Sequence, residues 1–443
     1  MVGVLGLLGY AVPTWGQQGV GLRAAPPGDD TPEAIVDIDF NDEVINRPEP
    51  MTEEEVVGLV DDLHSHGCET IIVRMGFLGL LPYRTELSYP LEFDEEDFRE
   101  RYWGSEEDAD RLAERNTDWL RRYRAALEAY NPPEVFIRAG HERGMKVIMW
   151  IDIYDDYYPG FHSKFLDENP QCQWTAKDGT RFEGLTQYAW PEARQFRVQQ
   201  ATELLDLGAD GIHLSTSAHC RHMPNVHQDD FYGYGRPIVE EYRRRHGVDI
   251  LDATEFDTEA WHRIKGEAVN ELYRQVAAVC HERERELWIG LQLGDYVHMA
   301  ANPYFGDNVV ARYRNLWQEL VTDGIADAII VADYEVPGQS GGPYWVAKEG
   351  VPAGEDLYAF GARQYGPLCR EHGVQMYLFG EWLVGEHDRL DALLAEKARH
   401  VLENGYDGID LHEAANFERG RMVFLQRFVQ RLAGVDPGPF PFE

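Results

Sequence analysis

One local pattern recurs along the chain: an amphipathic helical stretch, a glycine, then a short apolar run. It appears in HSHGCETIIVRM at Gly67, HERGMKVIMWID at Gly144, LDLGADGIHLS at Gly208, VTDGIADAIIVAD at Gly324, REHGVQMYLFGE at Gly373 and LENGYDGIDLHE at Gly405. The glycine falls where a helix C-terminus needs a positive φ. The aliphatic run after it suits a strand covered on both faces. AIVDIDF (Ala34–Phe40) and LWIGLQL (Leu287–Leu293) read as two further strands without that glycine. Eight strands alternating with helices predict a parallel sheet with right-handed crossovers. The fold class that follows is α/β, a (β/α)8 TIM barrel. An open doubly wound sheet would need a Gly-rich turn after the first strand, and NDEVINRPEP stands there instead.

The connections are uneven. A charged, mostly helical insertion runs from Pro82 to Pro133 between strands two and three. Long loops follow strand three (154–190), strand four (216–237) and strand six, all at strand C-termini, where barrel enzymes keep their sites. The expected organisation is an N-terminal segment (1–30), one barrel domain (31–433) and a short tail (434–443). Residues 1–12, MVGVLGLLGYAV, resemble the apolar part of an export signal without its basic start, which favours a secreted or cell-surface location.

Composition narrows the function. The 443 residues include 41 Lys+Arg against 78 Asp+Glu, a net charge of −37. Such a surface repels phosphate backbones, so no nucleic-acid partner is expected. Lysine occurs only at Lys146, Lys164, Lys177, Lys265, Lys348 and Lys397, a bias that suits either salt adaptation or a GC-rich genome. No stretch approaches the ~20 apolar residues of a membrane span. The five cysteines are odd in number and lack a CxxC, so neither a disulfide framework nor a structural zinc site is expected.

The strand ends carry an unusual density of ionisable and aromatic groups. Asp37 and Asp39 end strand one and Arg74 ends strand two. Trp150, Asp152 and Tyr154 share one parity at strand three, with Asp155 and Asp156 following. His213 and Ser215 end strand four, His219 follows, and Gln292 ends strand five. Asp333 and Glu335 follow strand six, Glu381 and Trp382 end strand seven, and Asp410, His412 and Glu413 end strand eight. Carboxylates among Trp and Tyr suit a carbohydrate: ring faces stack on sugar C–H groups while acids and amides take the hydroxyls. Glycoside cleavage needs two carboxyl groups across the scissile bond. Glu381 is the first choice for nucleophile or base, against a structural reading in which it pairs with Arg74. Asp333 or Glu335 is the choice for proton donor, with Glu413 a third candidate on the opposite parity from Asp410 and His412. Asp39, Arg74, Trp150, Asp152, Tyr154, His213, His219, Gln292, Trp382, His412 and Glu413 are the expected substrate-binding set. No cofactor or metal is expected, since the spacing of His219, His222 and His227 matches no standard zinc site.

KVIMWIDIYDDYYPG, the run 164–179 with LTQYAWPEAR (185–194), GADGIHLSTSAH (208–219) and FYGYGRPIVEEYRRRHGVDI (231–250) resemble the glycosyl-hydrolase-like barrels designated family 10 glycosylhydrolase. The likeness covers most of 34–431 and implies a TIM barrel acting on a poly- or oligosaccharide, with the strand-seven carboxylate, Glu381, carried over. In related clans a catalytic acid often ends strand four, whereas this chain has Ser215 and Thr216 there. That departure leaves two alternatives: a barrel that binds carbohydrate without cleaving it, and a metal-dependent lyase or isomerase.

Overall fold

The computed structural model describes residues 31–102, 105–216, 232–300, 309–331, 356–380, 387–414 and 422–438. Eight parallel strands close into a barrel: β1 (Glu33–Ile38), β2 (Thr70–Arg74), β3 (Lys146–Asp152), β4 (Gly211–Ser215), β5 (Glu286–Leu291), β6 (Ala328–Val331), β7 (Gln375–Gly380) and β8 (Gly408–Leu411). Each pairs with its sequence neighbours, and β1 closes on β8 through Glu33↔Gly408 to Val36↔Leu411. This is the (β/α)8 TIM barrel that the alternation predicts. The six glycines of the repeat all have positive φ. Gly373, at +70°, ends the helix Leu357–His372 with its N–H on the Cys369 carbonyl.

Period-two alternation divides the strand residues between two cores. Ile35, Ile72, Ile148, Trp150, Trp288, Ala328, Ile330, Tyr377 and Phe379 pack inside the barrel. Their neighbours, such as Val36, Val73, Met149, Leu214 and Leu378, face the surrounding helices. Each large side chain buried this way is worth roughly 1.5–3 kcal/mol. At the N-terminal end the interior is closed by polar contacts. Lys146 Nζ bridges both Glu286 oxygens at 2.8 and 2.9 Å, Trp288 Nε1 donates to Glu286 at 2.7 Å, and the Trp288 ring stacks on Tyr377.

The insertion after β2 is helical, as expected, with helices Glu95–Arg101 and Glu106–Ala129. Its Trp119 packs edge-on against Phe77 and Phe161, so it braces the loops after β2 and β3. The long loop after β3 contains an antiparallel pair, Gln173–Thr175 with Arg181–Thr186. A second hairpin, Tyr296–Ala300 with Val309–Arg314, follows β5. The sequence reading does not anticipate it, because its alternation is interrupted by 301–308 and resembles loop.

Among the described residues no helix is long and apolar enough to cross a membrane.

Barrel closure depends on strands approaching without side chains at a few points. A Cβ on Gly408 would lie 2.4 Å from the Glu33 carbonyl oxygen, a backbone atom with no room to retreat. Gly408→Ala is therefore expected to cost about 1–3 kcal/mol of stability by overpacking, read as a lowered urea midpoint.

Candidate functional site

The C-terminal mouth of the barrel is built around one guanidinium. Arg74 ends β2, faces the interior like Ile72, and is fully buried. Its Nη1 donates to Asp39 Oδ2 at 2.6 Å, its Nε to Asp152 Oδ2 at 2.6 Å and its Nη2 to Asp155 Oδ2 at 2.8 Å. Three connected segments are thus held by one cation. Its plane lies over Trp150 and Phe77, 4.9 and 5.0 Å from the ring centroids. Trp150 Nε1 donates to the other Asp152 oxygen at 2.9 Å. One guanidinium cannot neutralise three carboxylates in a dry site. Burial accordingly raises the Asp152 carboxyl well above its ordinary range despite Arg74, and Asp155 adds to the rise.

Asp39 has a second task. It caps the short helix Phe40–Ile45, accepting from the Asn41 N–H at 2.9 Å. Asp155 also accepts from the Leu78 N–H at 3.1 Å, tying the β2 loop to the β3 loop. Asp156, next along, is held by Arg197 Nη2 at 2.6 and 2.7 Å and by Thr186 Oγ1 at 2.5 Å. These two loops are therefore fixed from below by charge-assisted hydrogen bonds.

A second group forms where β8 meets β1. His412 Nδ1 contacts both Asp37 oxygens, at 2.9 and 2.8 Å, and its Nε2 lies 3.9 Å from Glu413 Oε2. The ring sits 6.3 Å from Trp150 and 5.7 Å from Phe379. Glu413 is buried. Burial raises its carboxyl well above the ordinary range, and Asp42, Asp39 and Asp37 push it further. The parity argument that turned Glu413 away from the centre applies only within a strand. β8 ends at Leu411, and two residues later the alternation no longer governs direction.

The remaining expected residues divide. His213 lies edge-on to Trp150, with centroids 6.1 Å apart, and among the described residues its Nδ1 has no hydrogen-bond partner. Burial alone pushes it down to about 3, so it is neutral. The Gln292 side chain anchors the hairpin after β5, accepting from the His298 N–H at 2.9 Å and donating to the His298 carbonyl at 3.2 Å. Trp150 and Tyr154 are each 1% exposed. Trp150 is covered by Arg74, and Tyr154 packs with Tyr188 and Tyr313 outside the barrel interior, so neither presents an open ring face. Glu381, Trp382, Asp333, Glu335 and His219 lie outside the described residues, as do His222 and His227. Among the described residues no group of three or more His, Cys, Asp or Glu is arranged to hold a metal ion.

Sequence reasoning named Asp37 and Asp155 without giving them partners, and it missed Asp42 and Arg197 altogether. Asp42 sits one turn inside a helix and carries no motif. Arg197 lies on a helix whose outward charge pattern hides a buried guanidinium.

No family profile matches the chain, and no curated protein matches it. Solved structures do. The catalytic domain of β-amylase from Paenibacillus polymyxa superposes with a TM-score of 0.53 at 10% identity, covering 92% of this chain and 100% of that one. The β-galactosidase from the psychrophilic Marinomonas ef1 gives 0.49 at 12% identity over 91% of this chain, which spans 59% of its length. The PgaB glycoside hydrolase domain from Bordetella bronchiseptica gives 0.47 at 13% identity, over 90% of this chain and 98% of that one. At such identities the likeness is one of fold alone, a TIM barrel.

Two predictions follow from the electrostatics. Arg74→Met leaves three buried carboxylates without their cation and should cost about 3–5 kcal/mol, less in acid, where the carboxylates take up protons. Urea unfolding at neutral pH and at pH 4 checks this. For Glu413, the unfolded chain loses its proton near the ordinary value of 4.5, whereas the folded chain holds it to higher pH. Wild-type folding therefore binds a proton in that window, and this group makes stability fall as pH rises. Glu413→Gln has no such proton. Its stability relative to wild type should climb above the ordinary value by up to about 1.4 kcal/mol per pH unit and stay level below it. Paired urea melts across pH 4–8 read the difference.

Proposed function

We propose that this chain is a glycoside hydrolase of the family 10 glycosylhydrolase kind, acting on a poly- or oligosaccharide at the C-terminal mouth of its barrel. The observation that carries the reading is the mouth itself. Carboxyl groups in different environments gather there, Glu413 and Asp152 raised by burial and Asp37 paired with His412. Glycoside cleavage divides its labour between carboxyl groups whose environments push their protonation states apart. The β-amylase likeness supports the fold on which such chemistry is run.

In this reading Glu381 is the nucleophile or the base. The described part of its strand supports that choice only indirectly: Tyr377 and Phe379, four and two residues earlier, face the barrel interior. Asp333 or Glu335 remains the sequence-based choice for proton donor. Asp39, Arg74 and Asp152 shape the floor of the mouth, while His412, Gln292, His219 and Trp382 are the proposed sugar contacts. The carbohydrate would be neutral or cationic, since a chain of net charge −37 disfavours a polyanionic one.

A second reading, sugar binding without cleavage, draws on one specific feature. β4 ends in Ser215, Thr216 and a neutral His213, with no acid. The two readings separate on Glu381→Gln. If the chain is a hydrolase, the variant should lose on the order of 4 kcal/mol of transition-state stabilisation while still binding the polysaccharide in a pull-down. Full turnover in the variant would remove Glu381 from the mechanism. A wild-type protein that binds polysaccharide and releases no reducing ends would favour the second reading.

A further inference from the structure

We infer, on the glycosidase reading above, that the Asp37–His412 pair is the proton-transfer element of the site, with His412 as a catalytic acid/base that the sequence assigned only to substrate binding. The geometry is that of an oriented imidazole. Asp37, 1% exposed at the end of β1, takes Nδ1 between its two oxygens at 2.8 and 2.9 Å. With Nδ1–H on Asp37, Nε2 is the nitrogen that exchanges the proton. Phe379 and Trp150 confine the ring, at 5.7 and 6.3 Å. The His412 side chain keeps 12% of its surface exposed while its partner is enclosed, so the pair runs from the barrel wall to the open mouth.

The groups around the pair fit the role. Asp37 is its anion. Glu413, 3.9 Å from Nε2, is hydrogen-bonded to Asp42, and burial raises its carboxyl well above the ordinary range, which disfavours a second negative charge beside Nε2. Arg74 is already engaged by Asp39, Asp152 and Asp155. His213 makes the contrast: among the described residues its Nδ1 has no hydrogen-bond partner, and burial holds it neutral. Of the two, only His412 is built to gain and lose a proton.

The step balances without any further reactant. As the anomeric C–O bond breaks, its electron pair stays on the leaving oxygen, which takes the proton from Nε2 of the imidazolium. The Glu381 carboxylate, as nucleophile, bonds to the anomeric carbon as that bond breaks; water then displaces it, and the neutral imidazole takes the proton from that water. One water is consumed, one glycosidic bond is hydrolysed, and His412 returns to its starting state. This places the proton donor on β8, in competition with Asp333 and Glu335.

Leaving-group dependence tests the assignment, because a good leaving group needs no proton. Wild type and His412→Gln are assayed on 2,4-dinitrophenyl and methyl glycosides of glucose, galactose, mannose and N-acetylglucosamine, with Asp37→Asn, Asp333→Asn and Glu335→Gln in parallel. The expected result is a loss of about 10²–10⁴-fold on the methyl glycoside and less than about tenfold on the dinitrophenyl one. Asp37→Asn should fall in the same direction. Equal losses on both substrates, no loss, or the leaving-group signature in Asp333→Asn or Glu335→Gln instead would overturn the assignment. Thermal melts verify folding, and His412→Asn on the same two substrates replaces His412→Gln if that variant does not fold. A wild-type protein inactive on every glycoside and releasing no reducing ends from any polysaccharide fails differently: the glycosidase reading itself falls, and the role of His412 with it.

Discussion

A guanidinium with no exposed surface has to be surrounded by acceptors, and at Arg74 that requirement organises the mouth of the barrel. Removing such a cation from water costs several kcal/mol unless hydrogen-bonded anions replace the lost hydration. Asp39, Asp152 and Asp155 do so from the end of β1, the end of β3 and the loop beyond it. Their convergence fixes where three neighbouring strand ends stop and where their loops begin. Trp150 and Phe77 sandwich the cation, which explains why an indole on an inward-facing position is enclosed and not open to ligand.

The same constraint leaves negative charge in excess. Three carboxylates on one cation, with Asp37, Asp42 and Glu413 close by, do not all ionise in a low-dielectric interior. Burial raises the carboxyls of Asp152 and Glu413 well above the ordinary range, and Asp37 pairs with a histidine. Carboxyl groups in different protonation states are what acid/base chemistry on a neutral substrate requires. At the opposite end of the barrel Lys146 pairs with Glu286 beneath Trp288, with Glu33 nearby on Tyr377, and that end reads as structural closure.

Support for the mouth comes from elements that never reach it. Trp119, on the helical insertion, packs on Phe77, and Phe77 lies against Arg74. Arg197 and Thr186 hold Asp156, one residue beyond an Arg74 ligand. The hairpin after β5 is anchored by the Gln292 side chain at its base. The charged helical insertion thus packs behind the ring that lies against Arg74.

Strand existence, strand order and the side of the wall each strand residue faces were legible in the sequence. Each rests on local rules: a glycine that ends a helix, an aliphatic run of strand length, and a period of two that put Asp37, Arg74, Trp150 and Asp152 inside. Partnership was not legible. Asp37 and His412 are 375 residues apart, and Arg74 and Asp152 are 78 apart. Which aspartates from β1 and β3 met Arg74 depended on which ends closure brought within reach. Beyond Leu411 alternation ceased to apply, and only the packing turned Glu413 inward. Local sequence chooses backbone conformation through near-neighbour sterics and burial. Charge state and proton placement depend on distances across a closed ring, which exist only once the chain has folded.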